Sequence, residues 1–414
     1  MSRLYRTFAL GCMSAAALTM LAVPAARAQR PPGLAENDKS NPKASGQAGT
    51  LRPHPTPAIP PKPDQLPLAK IKLPAGFKAE IWSSGHAGGR TMVRSPNGTI
   101  FVGTRQIGRV YAIIDKDGKR EVKIVAKGLT QPNGLAFRDG ALYVFAINRV
   151  FKYDGIEGKL DNPGEPRELT AAYNLPPEIH HNWKYVDFGP DGKMYVQVGA
   201  NCNICELDTN IRGQIRRYNA DGTGMEVVAR GVRNTVGFDW HPETKELWFT
   251  DNGRDWAGND GPQDELNRLP KGRDGANFGF PYCHANAIPD KDVTKPEPCK
   301  DVVMPSALLG PHAAGLGIKF YTGSMFPASY RNVAFIARHG SWNREKKYGY
   351  DVVVARTQPD GSAKIEPFLQ GLLDEGSNQF FGRPAYVLQM PDGALLVSDD
   401  RNGAIYRISY SGPK

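Results

Sequence analysis

Cysteine is scarce in this sequence, with five among 414 residues. The pair Cys202 and Cys205 is followed by Glu206 rather than by His, so the chain lacks a haem-attachment motif. It also lacks a dinucleotide-binding motif and any basic run interleaved with aromatic residues, although its formal net charge is +10. These absences argue against a covalently bound haem, a dinucleotide site and nucleic-acid binding.

Long apolar runs are missing beyond the N-terminus. Residues 1–28 combine early basic residues with an apolar stretch from Phe8 to Val23 and end in the A-x-A site Ala26-Arg27-Ala28, as in a cleaved export signal. The apolar stretch is short and interrupted by polar and small residues, which argues against a membrane anchor. We therefore expect a periplasmic or secreted protein with no transmembrane segment after signal removal.

Removing the signal leaves four cysteines, at positions 202, 205, 283 and 299. An even number suits an oxidising compartment and disulfide bonding. A redox or metal dithiol at Cys202 and Cys205 is the alternative, but the wider spacing of the other two cysteines does not match a second zinc-ligand pair. We favour a local Cys202–Cys205 bridge and a Cys283–Cys299 loop bridge.

Residues 29–66 are rich in Pro, Ala, Gly and Lys and almost free of aromatic residues. This composition predicts an extended tether or a disordered lead-in. Residues 67–414 contain no further break in composition and are read as one domain.

Six copies of a turn-plus-strand unit occupy this domain. They begin at Ser95, Phe137, Gly189, His241, Phe326 and Met390. Each places a turn before alternating apolar residues, and most are followed by a second strand that opens with Gly. Regularly spaced hairpins of this kind predict an all-β, six-bladed β-propeller. The excess residues in 199–212 and 251–312 predict long loops at one end of the disc, where we expect an active site.

Two adjacent histidines, His180 and His181, precede the third unit. Histidine is the natural base at neutral pH. Because neighbouring residues of a strand face opposite ways, at most one of the pair is expected to point into the channel. A surface histidine pair is the alternative interpretation.

Two arginines stand at the heads of blades, Arg383 and Arg233 beside Asn234, and Arg338 lies at the end of the blade-five strand. Guanidinium and carboxamide groups suit a planar anionic ligand with carboxylate and carbonyl oxygens, and structural arginines tying blades together are the alternative. The loop from Thr250 to Glu265 offers many oxygen donors suited to Ca²⁺, although an ion-free polar loop fits the sequence equally well.

In this order, the segments HNWKYVDFGPDGKMY, GVRNTVGFDWHP with DELNRL and NFGFP, and FGRPAYVLQMPDG resemble the soluble pyrroloquinoline quinone (PQQ)-dependent glucose and sorbosone dehydrogenases. The resemblance covers most of residues 72–410. The segments CNIC and ARHGSWNR place the likeness nearest to the sorbosone dehydrogenase-like branch. The resemblance implies hydride transfer from a substrate carbon to PQQ, with Ca²⁺ as a second cofactor.

The resemblance also implies roles for individual residues. His181 corresponds to the general base that takes the proton of the substrate hydroxyl. Arg233 and Asn234 correspond to residues that hydrogen-bond the quinone oxygens and stabilise charge developing there.

The backbone carbonyls of Gly253 and Arg254 correspond to ligands of Ca²⁺. Arg383 corresponds to an arginine that pairs with a PQQ carboxylate, and Arg338 takes the place of a lysine that does the same.

Three positions depart from the pattern of the glucose enzymes. Ala200 stands where an Asp orients the base, Ala385 where a second arginine approaches the cofactor, and His180 where an Asp contacts glucose. These departures weaken glucose as the substrate more than they weaken the predicted fold.

The sequence as a whole predicts a PQQ- and Ca²⁺-dependent enzyme that oxidises a sugar, a sorbosone-like sugar aldehyde or a polyol. Electrons are expected to pass to an external acceptor, a quinone or a cytochrome. A calcium-dependent lactonase or esterase propeller and a non-catalytic carbohydrate-binding propeller are the alternatives. The arginines at the inferred channel mouth favour a polyanionic cofactor over either.

Overall fold

The structure, a computed structural model, describes residues 37–413. The predicted signal peptide, residues 1–28, and the start of the predicted lead-in, residues 29–36, lie outside the described residues. Within residues 37–413, no helix is long and apolar enough to cross a membrane.

The described residues form a six-bladed β-propeller, which confirms the predicted fold and the number of blades. Blade one comprises Gly89–Arg94, Ile100–Thr104, Arg109–Lys116 and Lys119–Lys127. Blade two comprises Gly134–Arg138, Ala141–Ala146, Arg149–Asp154 and Arg167–Glu168. Blade three comprises Val186–Phe188, Met194–Val198, Gln214–Tyr218, Glu226–Arg230 and a parallel edge strand, Ala276–Asn277.

The other three blades follow the same order. Blade four comprises Thr235–Trp240, Leu247–Asp251, Gln263–Arg268 and Ala307–Pro311. Blade five comprises Gly315–Phe320, Ala334–Arg338, Asp351–Thr357 and Ala363–Leu369. Blade six comprises Pro384–Gln389, Leu395–Asp399, Ala404–Tyr410 and Phe77–Ser84. First strands of neighbouring blades pack against one another and so surround the central channel.

Short elements lie in the connections. They are the 3-10 helices Pro42–Thr50, Pro63–Gln65, Pro67–Lys70, Ile156–Gly158 and Ala328–Tyr330, and the helical turn Thr170–Tyr173. Two small antiparallel ladders join Cys283–His284 to Ile288–Pro289 and Leu373–Asp374 to Gln379–Phe380.

Blade six contains strands from both ends of the described chain. Phe77–Ser84 pairs antiparallel with Ala404–Tyr410, so the strand that opens the propeller completes its last blade. This pairing covers an edge that would otherwise expose unpaired backbone groups. The sixth turn-plus-strand unit therefore ends the ring without a fourth strand of its own.

The second strand of every blade is buried along its whole length, as in Ile100–Thr104 and Ala334–Arg338. Both faces of such a strand pack against a neighbouring blade, so apolar residues occupy both alternate sets of positions. The turns before these strands depend on glycine at Gly192 and Gly393, which have φ angles of 76° and 88° that other residues adopt only with strain.

Both favoured disulfides are present, Cys202–Cys205 and Cys283–Cys299. The redox or metal dithiol considered for the first pair is therefore not observed. Each bridge closes one of the two long loops foreseen from the sequence. The second loop is further fixed by Arg254, whose buried guanidinium pairs with Asp290 at 2.7 Å and with Asp292 at 2.8 Å.

Residues 37–66, part of the segment expected to be a tether or disordered, have a defined course over the propeller. Asp38 accepts a 2.6 Å hydrogen bond from the backbone N–H of Asn203, in the loop closed by the first disulfide. Further along, Asn343 of blade five donates a 2.9 Å bond to the carbonyl of buried Ala48. Apart from the short 3-10 helices Pro42–Thr50 and Pro63–Gln65, this segment is irregular, and partners on the propeller hold it in place.

The same segment then reaches blades six and one. The ring of His54 lies 4.7 Å from that of Phe380, and the backbone N–H of Thr56 donates to Gln106. We call residues 38–56 the N-terminal arm. The arm thus passes from the loops of blade three, past blade five, to blades six and one.

Candidate functional site

The predicted site residues gather at the end of the channel where the first strands of the blades begin. We call this end the mouth and define it by His181, Arg233, Asn234 and Arg383. Arg233 with Asn234 and Arg383 directly precede the first strands of blades four and six, and His181 lies five residues before that of blade three. The insertions, the first disulfide and the N-terminal arm lie at the same end.

Acidic residues at the ends of second strands fix two of the arginines. The Asp251 carboxylate accepts the backbone N–H groups of Arg233 at 2.8 Å and Asn234 at 2.7 Å. Asp399 accepts the backbone N–H of Arg383 at 2.9 Å. Burial raises the pKa of each carboxyl to about 6, and these hydrogen bonds oppose the shift. In both blades, a carboxylate at the end of the second strand therefore fixes the backbone position of the mouth arginine.

His181 is buried, with 5% of its surface exposed, and has a φ of 50°. Its carbonyl lies so close to Gly199 that a Cβ there would approach within 2.2 Å, so only glycine fits at position 199. Burial, followed by the charges of His180 and Arg233, holds the pKa of His181 well below its usual value. The imidazole is therefore neutral at pH 7 and able to accept a proton.

The departure at Ala200 has a local consequence. No carboxylate stands there, and the buried Nδ1 of His181 has no hydrogen-bond partner among the described residues. The backbone of Ala200 acts to raise the pKa of His181, against the larger effect of burial. Trp183 packs edge-on against the His181 ring with centroids 6.0 Å apart. A backbone group and an indole therefore border the imidazole where a carboxylate was expected from the resemblance.

Arg233 is almost fully enclosed and bonds with protein groups through all three guanidinium nitrogens. Nε and Nη2 bond the backbone and side-chain oxygens of Asn203 at 2.9 and 2.6 Å. Nη1 donates to the carbonyls of Asn252 at 3.0 Å and Gly253 at 2.7 Å, and Nη2 pairs with Asp255 at 3.2 Å. Arg233 thereby ties the first disulfide loop to the predicted calcium loop.

Asn234 and Asn252 present oxygens that lack protein partners. The Oδ1 atoms of both are buried and accept no hydrogen bond from the described residues. Because a buried amide oxygen without a partner is costly, these two atoms mark a place for a ligand, an ion or water. Asn252 lies next to Gly253 on the predicted calcium loop, and its side chain donates to the backbone carbonyl of Asn234 at 3.1 Å.

Gly253 and Arg254 are held in the calcium loop by different contacts. The Gly253 N–H donates to Asp264 at 2.8 Å, which fixes the loop. The Arg254 side chain points away into the ion pairs with Asp290 and Asp292, so its backbone alone is offered to the mouth. Within residues 37–413, no group of three or more His, Cys, Asp or Glu side chains is arranged to hold a metal ion.

Arg338 does not join the mouth arginines, in contrast to the role implied by the resemblance. It stands opposite Asp351 in the register of blade five and forms a bidentate pair with it, at 2.8 and 2.5 Å. Its Nη1 donates to the carbonyl of Leu309 at 2.9 Å, in blade four. The guanidinium therefore ties two blades together, which was the alternative interpretation of these arginines.

Among the described residues, the guanidinium of Arg383 donates only to neutral acceptors. Its Nε and Nη2 donate to the carbonyls of His339 at 3.1 Å and Gly340 at 2.8 Å. Burial lowers the pKa of Arg383, and the nearest compensating acid is Asp400. This arginine keeps the character of an anion-binding residue.

Three further residues at the mouth, Arg90, Arg105 and Asp400, were not predicted from the sequence, and they lie near His339 of the ARHGSWNR segment. Asp400 pairs with Arg90 at 3.2 Å and bonds His339 at 2.8 Å. The pattern Gly-Gly-Arg at Arg90, like Gly-Val-Arg at Arg233 and Phe-Gly-Arg at Arg383, stands at the start of a first strand. That recurrence was the sequence signal for Arg90, whereas nothing comparable marks Arg105.

The TrAA12-like family matches residues 71–411 of the chain. An uncharacterized protein of Borreliella burgdorferi is 30% identical over 353 residues, which span 82% of this chain and 91% of that protein. A pyrroloquinoline quinone-dependent pyranose dehydrogenase of Coprinopsis cinerea is 28% identical over 231 residues, spanning 49% of this chain but 27% of that longer enzyme.

Solved structures share the fold. The PQQ domain of the Coprinopsis cinerea pyranose dehydrogenase, in holo form, superposes with a TM-score of 0.66 at 20% identity and covers 82% of this chain and 97% of that domain. The PQQ-bound aldose sugar dehydrogenase of Streptomyces coelicolor superposes with a TM-score of 0.56 at 18% identity. The match covers 82% of this chain and 100% of that enzyme. At these identities the likeness establishes the propeller architecture alone.

Proposed function

This chain belongs to the TrAA12-like family, and we propose that it is a PQQ- and Ca²⁺-dependent dehydrogenase of a sugar, a sorbosone-like sugar aldehyde or a polyol. The observation that carries the proposal is the placement of a neutral, buried imidazole, His181, among the arginines of one channel mouth. Relatives named as PQQ-dependent sugar dehydrogenases support it.

The mouth fits a polyanionic planar cofactor. Arg383 is charged and bonded only to carbonyls, and the buried Oδ1 of Asn234 lacks a partner among the described residues. PQQ, when bound, supplies an electrophilic quinone carbon that accepts a hydride. Arg383 would hold one of its carboxylates, and Arg233 and Asn234 would border its quinone oxygens.

The calcium loop also offers ligands that suit its predicted ion. Backbone carbonyls at Gly253 and Arg254 and the unpartnered Oδ1 of Asn252 are oxygen ligands of the kind Ca²⁺ prefers. The Gly253 carbonyl, however, already accepts from Arg233. Ion binding and the position of Arg233 are therefore coupled.

His181 is the group that would receive the hydroxyl proton of the substrate. Its depressed pKa keeps the ring unprotonated over the neutral range, so that it is ready to accept. Burial also excludes water from the ring, and the contact with Trp183 limits its rotation.

The proposal extends to location and electron flow. The predicted export signal and the two disulfides support a periplasmic or secreted enzyme. Because the sequence carries no haem or dinucleotide motif, we propose an external quinone or cytochrome as the electron acceptor.

The test is reconstitution of purified, metal-stripped protein. We expect reduction of an artificial electron-acceptor dye with sugars, sugar aldehydes or polyols only when both PQQ and Ca²⁺ are supplied, and PQQ binding visible in the absorption spectrum. Sugar oxidation without PQQ would overturn the proposal. Lactone hydrolysis independent of PQQ would favour the calcium-dependent lactonase, and sugar binding without turnover under all conditions would favour the non-catalytic propeller.

A further inference from the structure

Arg105 occupies an unusual place at the mouth. It lies in the turn between the second and third strands of blade one, next to Thr104, and is half-buried. Its guanidinium carbon stacks 3.7 Å above the ring of Trp183. Its Nε is buried and makes no hydrogen bond with the described residues. The stacking fixes the guanidinium in one orientation without using its donors.

Positive charge exceeds negative charge around Arg105. Burial, followed by the charge of Arg90, lowers the pKa of Arg105 to about 9, and Arg383 acts in the same direction. Asp400 is the acid that opposes this shift, but it is already engaged by Arg90 and by His339. Three guanidinium groups therefore share one carboxylate. An anion with free oxygens would relieve this imbalance and supply the acceptor that Arg105 lacks.

Arg105 also lies on the side of the proposed base. Trp183 contacts both side chains, with the His181 ring 6.0 Å away and Arg105 stacked on its face. The charge of Arg105 acts directly on the His181 imidazole. Because Arg105 contacts the same indole as the base, we assign it to the substrate, whereas we assign Arg383 and Arg233 to the cofactor.

We propose that Arg105 binds a carboxylate of the substrate, so that the preferred substrates are acidic sugars such as uronates or aldonates rather than neutral sugars. This inference rests on the proposed function, since it identifies the substrate class of the same site. A charge-assisted, bidentate contact from a prepositioned guanidinium discriminates strongly against a ligand that lacks the carboxylate.

The test compares matched pairs of sugars that differ by one carboxylate, glucose with glucuronate and galactose with galacturonate. For Arg105→Gln we expect the ratio of kcat/KM for the acid over the neutral sugar to fall by about 10- to 100-fold, the effect of losing a hydrogen bond to a charged group. Arg105→Lys should retain part of the preference. The matched control is Arg120→Gln, because Arg120 also stacks on a tryptophan, Trp82, but has its own partner, Asp115.

Two binding measurements separate this inference from the proposed function. In the absence of turnover, glucuronate should raise the Tm of the wild-type protein more than glucose does, and Arg105→Gln should abolish the difference. Dissociation constants for PQQ, from spectral titration, should be the same for wild type and Arg105→Gln. Equal Tm shifts by both sugars, or a loss of PQQ affinity in Arg105→Gln with an unchanged acid-to-neutral ratio, would overturn the assignment.

Discussion

Arg233 donates a hydrogen bond of 2.7 Å from Nη1 to the carbonyl oxygen of Gly253. The residue expected to stabilise charge on the quinone and a residue expected to bind calcium are therefore in direct contact. Through Asn203, the same guanidinium also holds the first disulfide loop. Arg233 thus combines a proposed chemical role with a structural one, and its removal should affect both.

We expect Arg233→Ala to lower saturated turnover in a way that added PQQ does not restore, because charge stabilisation in the transition state is lost. We also expect a loss of stability on the order of 3 kcal/mol, since Asp255 and several carbonyls lose a charged donor. Turnover against PQQ concentration and denaturant unfolding measure the two effects. Full recovery of turnover at high PQQ would contradict the catalytic role.

Arg383 and Arg338 provide a direct contrast. Arg383→Ala should weaken PQQ affinity by about 10- to 100-fold while leaving turnover at saturating PQQ nearly unchanged, because a cofactor carboxylate loses its partner. Arg338→Ala should leave PQQ affinity unchanged. It should destabilise the fold by about 3–5 kcal/mol, because the buried carboxylate of Asp351 loses its charged partner. Spectral titration of PQQ and thermal unfolding of both variants distinguish a cofactor-binding role from a structural one. A larger loss of PQQ affinity in Arg338→Ala would restore the role implied by the resemblance.

The adjacent histidines are tested in the same assay. His181→Ala should lower turnover by about two to four orders of magnitude, the usual contribution of a positioned general base, with PQQ binding largely intact. His180→Ala is the matched control and should affect the chemical step much less. Equal losses in both variants would show that the base was assigned to the wrong member of the pair.

Part of this architecture follows from short-range patterns in the chain. The turn glycines and alternating apolar strands specify the blades one by one, so their number could be predicted from the sequence. The placement of His181 and Arg233 at one end follows once the blades are known, because residues at the starts of first strands meet there.

Other features depend on contacts between distant segments. The Arg338 guanidinium is engaged by Asp351, which the strand register places opposite it, and no local pattern reveals that register. The position of Arg105 depends on Trp183 of another blade. The N-terminal arm has a composition typical of disorder, and only the partners at Asn203 and Asn343 give it a fixed course.

The arm offers a further prediction, because it contacts the loops at the end of the propeller where the cofactor is proposed to bind. Deleting residues 29–50 should speed PQQ association and lower Tm, since the mouth becomes more open and several buried contacts are lost. Asp38→Ala should cost about 1–3 kcal/mol by leaving the Asn203 N–H without its acceptor. Stopped-flow PQQ binding and thermal unfolding measure these effects. Unchanged association in the deletion would show that the arm does not restrict access.

The last prediction concerns Glu265, on the third strand of blade four. Burial, followed by the charge of Asp251, raises the pKa of Glu265 to about 8, and hydrogen bonds from Asn267 and the backbone of Ala285 oppose this. Asp264 adds to the repulsion. The folded protein therefore holds a proton that the unfolded chain releases near its ordinary pKa.

Because the folded pKa is the higher one, the stability from the protonated carboxyl is full below the unfolded pKa and is lost as pH rises through about 8. Glu265→Gln keeps the shape and removes the ionisation. Its amide oxygen can accept from the backbone N–H of Ala285, and its NH2 group can donate to the Oδ1 of Asn267 once the Asn267 amide turns over. The difference in Tm between Glu265→Gln and wild type should grow in favour of the variant from pH 5 to pH 9. A difference that stays constant over this range would show that Glu265 is ionised in the folded protein at neutral pH.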